Sequence, residues 1–149
     1  MSNSTVSTLN DLLQITNDRI EGFSKVEEKV WDQYPALKAD YTNMVDQSQK
    51  MKLELKSLIS KRNGDADDTT TVAGGLHRTW IDVKNSLTGD NAEATLENVA
   101  FGENAAVEAY QKALDSGDLC PESTKVVQDQ LHHLKASYAR FKNLENQHD

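Results

Sequence analysis

Apolar residues recur at three- and four-residue intervals along most of this chain, the spacing of one face of an α-helix. Leu9, Leu13, Thr16, Ile20, Phe23, Glu27 and Val30 predict a first helix over about 8–31, with Thr8 and Asp11 placed to cap its start. Leu37, Met44, Met51, Leu55, Leu58 and Arg62 predict a second over about 35–62. Pro35 suits its first turn, and Asn63-Gly64 suits a left-handed stop. Leu96, Val99, Ala100, Ala106, Val107, Tyr110 and Leu114 mark a third over about 92–115, closed by Ser116-Gly117. Pro121 opens a fourth over about 121–147, with a stripe of Val127, Gln130, Leu134, Tyr138, Phe141 and Glu145 widened by Leu131, Ser137 and Leu144. Between the second and third helices, the polar stretch 65–73 reads as a loop. Leu76, Trp80, Val83 and Leu87 then read as a short helix over about 76–87, and Asp90 with Glu93 as a capping box for the third long helix.

The connections predict the topology. Short links between helices 1 and 2, and between 3 and 4, force antiparallel hairpins. The link between helices 2 and 3 is long enough to run back along a bundle. The expected fold is therefore all-α, a single ferritin-like four-helix-bundle domain over 1–149: two antiparallel hairpins joined by a crossover that carries a short helix. A faint repeat agrees, since Gln47, Met51, Leu55 and Leu58 share the spacing of Gln130, Leu134, Tyr138 and Phe141.

Composition narrows the function. The 149 residues include only two prolines and seven glycines, and the formal net charge is -8. No basic stripe appears, which argues against nucleic acid and anionic membrane as partners. No apolar run approaches the roughly 20 residues that span a bilayer. Residues 1–8 show neither a basic n-region nor an apolar h-region, so no signal peptide is expected. The single cysteine, Cys120, has no intramolecular disulfide partner and fits a reducing, cytoplasmic compartment. No histidine or basic residue is close to it in sequence to activate it.

Glu103 carries the sharpest chemical question, because it lies at the centre of the apolar stripe of helix 3. A buried carboxylate needs a partner, a metal or a proton. A di-iron bundle supplies one Glu from each of two helices and a Glu-x-x-His from each of the other two. Glu103 fits one single-Glu position, and its counterpart on helix 1 is Thr16. The two Glu-x-x-His positions read Gln47-Ser48-Gln49-Lys50 and Gln130-Leu131-His132-His133, so glutamine replaces both carboxylates and Lys50 one histidine. No complete di-iron site remains, and no cofactor is predicted. The expectation is a buried polar layer of Glu103, Gln47, Gln130, Thr16 and Tyr110. A reduced site for iron or another divalent metal, built on Glu103 and His133, is the alternative. Helical phase places Asp18, Glu21, Asp129 and His132 outside the core.

Three segments carry a family resemblance: Asn17-Asp18-Arg19-Ile20-Glu21-Gly22-Phe23, Leu76-His77-Arg78-Thr79-Trp80, and Gly102-Glu103-Asn104-Ala105-Ala106 through Ala109-Tyr110. The chain resembles a bacterial ferritin-like four-helix-bundle family, a domain-of-unknown-function family, over about 9–144. The resemblance implies a cytoplasmic bundle without an assigned activity and supplies no catalytic residue. Trp80 reads as a packing anchor, with His77 and Arg78 as candidate interaction residues beside it.

Two functional classes follow. The favoured one is a non-catalytic bundle acting by association, as a homo-oligomer or a stress-related module for a protein partner. The other is a divergent metal-binding or oxidative protein using Glu103 and His133, with Glu54 or Glu27 in support. The Gln47, Gln130 and Lys50 set favours the first.

Overall fold

In the computed structural model, described over residues 2–24, 35, 37–69, 78, 80–82 and 92–148, all regular structure is helical. Four long helices dominate: α1 (Ser2–Ser24), α2 (Leu37–Lys61), α3 (Ala92–Asp115) and α4 (Pro121–His148). Arg78 and residues 80–82 of the crossover are also helical. The remainder of the short helix expected at 76–87, and Asp90 of the expected capping box, lie outside the described residues. Among the described residues, no helix is long and apolar enough to cross a membrane.

Cross-helix contacts fix the directions. Along α1 and α3, Thr5 meets the carbonyl of Asp118 just beyond α3, Thr16 meets Tyr110 and Arg19 meets Glu103. Along α2 and α4, Lys61 meets Glu122, Met51 meets Gln130 and Asp40 meets Arg140. Residue numbers rise on one helix as they fall on the other, so both pairs are antiparallel. The tightest packing is α1 on α2 and α3 on α4. Helices α1 and α4 therefore run one way, and α2 and α3 the other. The end of α2 and the start of α3 lie at opposite ends of the bundle.

Local signals explain the ends of α2 and α3. Asn63 takes a left-handed φ of 59° after α2. Gly64 N–H donates to the Ile59 carbonyl and Asn63 N–H to that of Ser60, both at 3.0 Å. This bond pair is a Schellman motif with Asn at the left-handed position. A Cβ on Gly64 would lie 2.8 and 2.9 Å from the two methyls of Val6, so glycine also lets α1 approach the end of α2. After α3, Gly117 has φ 77°.

The start of α1 is a correction. The helix begins at Ser2, not near residue 8, and Thr8 lies inside it rather than at a cap. Packing overrides the weak polar signal here, since Thr5 is buried and Val6 packs on the core.

The core is graded along the bundle. One half is apolar, built on Leu9, Leu13, Leu55, Ile59, Val127 and Leu134. A polar band follows, and beyond it Tyr41 lies against Phe141 with ring centroids 5.4 Å apart. Trp80 is fully buried.

Candidate functional site

The polar band begins with a charge pair that crosses from α1 to α3. Thr5, Leu9, Leu12, Thr16 and Arg19 are spaced 4, 3, 4 and 3 residues apart, one continuous stripe of α1. All five are buried, and Arg19 and Glu103 are fully enclosed. Arg19 Nε donates to Glu103 Oε1 at 2.8 Å and Nη2 to Oε2 at 2.9 Å, a bidentate fork on a planar carboxylate. From α4, the Ser137 hydroxyl donates to Oε2. From α2, the thioethers of Met51 and Met44 accept from the outer face of the guanidinium at 3.6 and 3.4 Å. All four helices thus converge on one ion pair.

A second layer lies on the apolar side of the first. Tyr110 O–H donates to Gln130 Oε1 at 2.7 Å. Gln130 Nε2 donates to the Met51 carbonyl and to Glu54 Oε1, both at 3.1 Å. Thr16 Oγ1 donates to the Leu12 carbonyl and sits 3.3 Å from the Tyr110 oxygen. Burial pushes the Tyr110 phenol up to about 12, which keeps it a neutral donor.

The polar layer expected from the sequence is therefore divided differently. The expected partners of Glu103 are Gln47, Gln130, Thr16 and Tyr110, but its hydrogen bonds go to Arg19 and Ser137. Gln130, Thr16 and Tyr110 form the second layer. Gln47 joins neither, and its Oε1 is buried without a hydrogen-bond partner, as is the Ser48 hydroxyl. The repeat alignment put Thr16 opposite Glu103, whereas the antiparallel register sets Thr16 beside Tyr110 and Arg19 beside Glu103. Arg19 was missed, although its signal was present: with Leu12 rather than Leu13 at the centre of the stripe, helical phase turns Arg19 inward.

His133 does not converge with Glu103. Its side chain is 48% exposed and its Nε2 lies 3.7 Å from Asp129 on the outer surface of α4, while Glu103 is enclosed. His132 and Asp129 are exposed, as their phase predicts. Among the described residues, no group of three or more His, Cys, Asp or Glu is placed to hold a metal. Glu54 is half-buried and engaged by Gln130, and Glu27 lies outside the described residues. Arg78 is exposed beside the buried Trp80, and His77 lies outside the described residues.

Asp18, expected outside the core, is fully buried. A strap runs over α1. Residues 64–69 follow α2 back along that helix and are read by carboxamides at 10, 14 and 17. Asn10 Nδ2 donates to the Asp65 carbonyl, and its Oδ1 accepts from Asp67 N–H at 2.7 Å. Gln14 Nε2 donates to Asp67 Oδ2 at 2.7 Å, and Asn17 Nδ2 to Asp68 Oδ1 at 2.8 Å. Lys52 and Lys56 of α2 reach Asp68 from the other side, at 3.0 and 3.2 Å. Hydrogen bonds from Lys52 and then Asn17 hold the Asp68 carboxyl down to about 2. The strap engages Asn17, and its neighbours Asp18 and Arg19 are buried as well, Arg19 on the inward stripe.

Cys120 also has company that the sequence hides. Its sulfur accepts from Ser123 N–H at the start of α4, and Arg62 approaches from the end of α2. Burial pushes the thiol up, but the bonds from Ser123 and Arg62 outweigh it, and the net shift is downward.

Two of the three resemblance segments thus meet physically. Asn17 holds the strap, and two residues on Arg19 reaches Glu103. The model of one family, "Domain of unknown function (DUF2383)", matches residues 4–116. The chain belongs to this family. The match runs from the first turns of α1 through the end of α3, and so includes the strap, the ion pair and Trp80. Helix α4, which supplies Ser137 and Gln130, lies outside it. No curated protein and no solved structure matches the chain significantly.

Proposed function

We propose that this member of the family is a ferritin-like four-helix bundle in which an ion pair occupies the central ligand position, and that it acts by association rather than by metal chemistry. The helix directions support the first part, because two antiparallel hairpins whose joining ends lie at opposite ends of the bundle require a lengthwise crossover. The observation that carries the second is the Arg19–Glu103 fork. Both carboxylate oxygens are engaged by a guanidinium already inside the bundle. A divalent cation entering there would have to displace a buried positive charge and leave it unpaired, a cost of several kcal/mol, about 3–5. The Met44 and Met51 thioethers around the guanidinium are soft and neutral, and would not compensate hard iron. The second layer holds one carboxylate, Glu54, bonded to a glutamine amide rather than paired with a histidine.

The test is elemental analysis of the purified chain and of a Glu103→Ala variant, after exposure of both to ferrous iron, manganese and zinc. The expected result is no stoichiometric metal that depends on Glu103. Near-stoichiometric iron, manganese or zinc that disappears in the variant would overturn the reading.

A further inference from the structure

A cleft of about 360 Å³ opens where the crossover meets α3 and α4. Asp82 of the crossover, Glu97, Phe101 and Asn104 of α3, and Tyr138 and Lys142 of α4 line it, around the buried Ala100. Glu97, Phe101 and Asn104 are spaced four and three residues apart, so they share one flank of α3. Tyr138 and Lys142 are four apart on α4. The volume is that of a small-molecule site, whose range is about 300–1,000 Å³. Phe101 is 64% exposed, a large apolar side chain that the fold leaves uncovered.

The charges of the lining are unbalanced. Among the described residues, Asp82 and Glu97 make no ion pair and accept no hydrogen bond, and the Tyr138 hydroxyl has no partner either. Arg78, one turn before Asp82, neither pairs with it nor lines the cleft. Among the lining residues Lys142 is the one cation, and it is already engaged. Asn104 donates its amide to Glu108 at 3.4 Å. Two unpaired carboxylates therefore stand beside two aromatic rings.

Carboxylates attract a cation by charge, and aromatic rings attract one through the negative potential of their faces. An anion would meet two like charges. A neutral apolar molecule would cover Phe101 but strip water from carboxylates that it cannot pair. A bare metal ion would gain nothing from Phe101, and among the described residues no group of three His, Cys, Asp or Glu is placed to hold one. The geometry points to a small organic ammonium ion as the ligand of this cleft, its charge set against Asp82 and Glu97 and its apolar body laid on Phe101 and Tyr138. Both carboxylates are exposed, so the attraction is partly screened and the affinity modest, a Kd of about 1 mM at low salt. The site goes beyond the association reading above and fails separately from it: ligand binding leaves the metal result untouched, and metal uptake leaves the cleft as it is.

Titration of the isotope-labelled full chain with phenethylammonium chloride, followed by amide chemical shifts, tests it. The expected result, at an ionic strength of about 20 mM, is a saturable shift centred on residues 97–104 and 138–142. Phenethyl alcohol, of the same shape without the charge, binds at least about fivefold more weakly, and phenylacetate does not bind. Glu97→Gln combined with Asp82→Asn brings the ammonium down to the affinity of the alcohol with unchanged helicity, because both side chains are exposed. Phe101→Ala weakens the ammonium and the alcohol alike. A flat titration up to about 20 mM, an alcohol that binds as well as the ammonium, or a double variant as tight as the natural chain would each overturn the proposal, as would shifts centred elsewhere.

Discussion

Replacing Arg19 by Met tests the centre of the bundle most directly. The substitution keeps a long side chain that can fill the space between Met44, Met51 and Glu103, so the change is one of charge more than of volume. It leaves Glu103 fully enclosed, with Ser137 as its remaining hydrogen-bond donor. Breaking a buried pair from one side costs about 3–5 kcal/mol, because the surviving charge is uncompensated. At about 2–4 °C per kcal/mol for a chain of this size, the melting temperature falls by about 6–20 °C. Urea denaturation followed by circular dichroism reads the same loss as a lower midpoint. Arg140→Met is the control: that guanidinium also forks onto a carboxylate, Asp40, but its side chain is 55% exposed, and its loss costs less than about 1 kcal/mol. The second arm is the double variant Arg19→Met with Glu103→Leu, which removes both charges and recovers most or all of the stability. The reasoning is refuted if Arg19→Met costs no more than Arg140→Met, or if the double variant is as unstable as the single one.

Three further outcomes follow from the same structure. Gly64→Ala destabilises by about 1–3 kcal/mol, because its Cβ meets the branched methyls of Val6 at 2.8 and 2.9 Å; thermal melts of Gly64→Ala with and without Val6→Ala check it, the second change relieving the first. The Asp68 carboxyl is held down to about 2 from 3.8, so its contribution to the strap is fully present above about pH 4 and is lost as pH falls towards 2. Protection of the amides at residues 64–69, relative to their intrinsic exchange rate at each pH, falls through that window in the natural chain, and Asp68→Asn shows the lower protection already at neutral pH. Cys120 alkylates faster at neutral pH than an unperturbed thiol, and Arg62→Gln slows it, as followed by the pH profile of iodoacetamide labelling.

The helices were largely legible, because each depends on a local pattern repeated many times. The inward periodicity of α3 is carried by Val99, Ala100, Ala106 and Tyr110, all buried, and the expected bounds of 92–115 are those of the helix. The Asn63 stop was equally local: a residue that tolerates left-handed geometry, followed by the glycine that the approach of Val6 requires. The start of α1 was not legible, since it is fixed by the contact of Val6 with the end of α2, some sixty residues away.

The site shows why residue types alone assigned its partners wrongly. Glu103 announces itself as a charge on an apolar stripe, but choosing its partner requires the level of one helix against another. An error of one turn moves the opposing residue from Arg19 to Thr16. Charge balance points to the correct choice, since Arg19 is a cation on an inward stripe at this level, and a buried charge without a counter-charge is the costlier arrangement. The same logic links the two family segments that straddle the pair. Asn17 draws the strap over α1, whereas Arg19, two residues on, lies on the inward stripe, where Met44, Met51, Glu103 and Ser137 bring α2, α3 and α4 around the pair. With water excluded, the fork to Glu103 becomes a specific crosslink between the two hairpins rather than a solvent-screened surface contact. One short stretch of α1 therefore works in two directions, Asn17 holding the strap on one side of the helix and Arg19 fixing how α1 sits on α3 on the other.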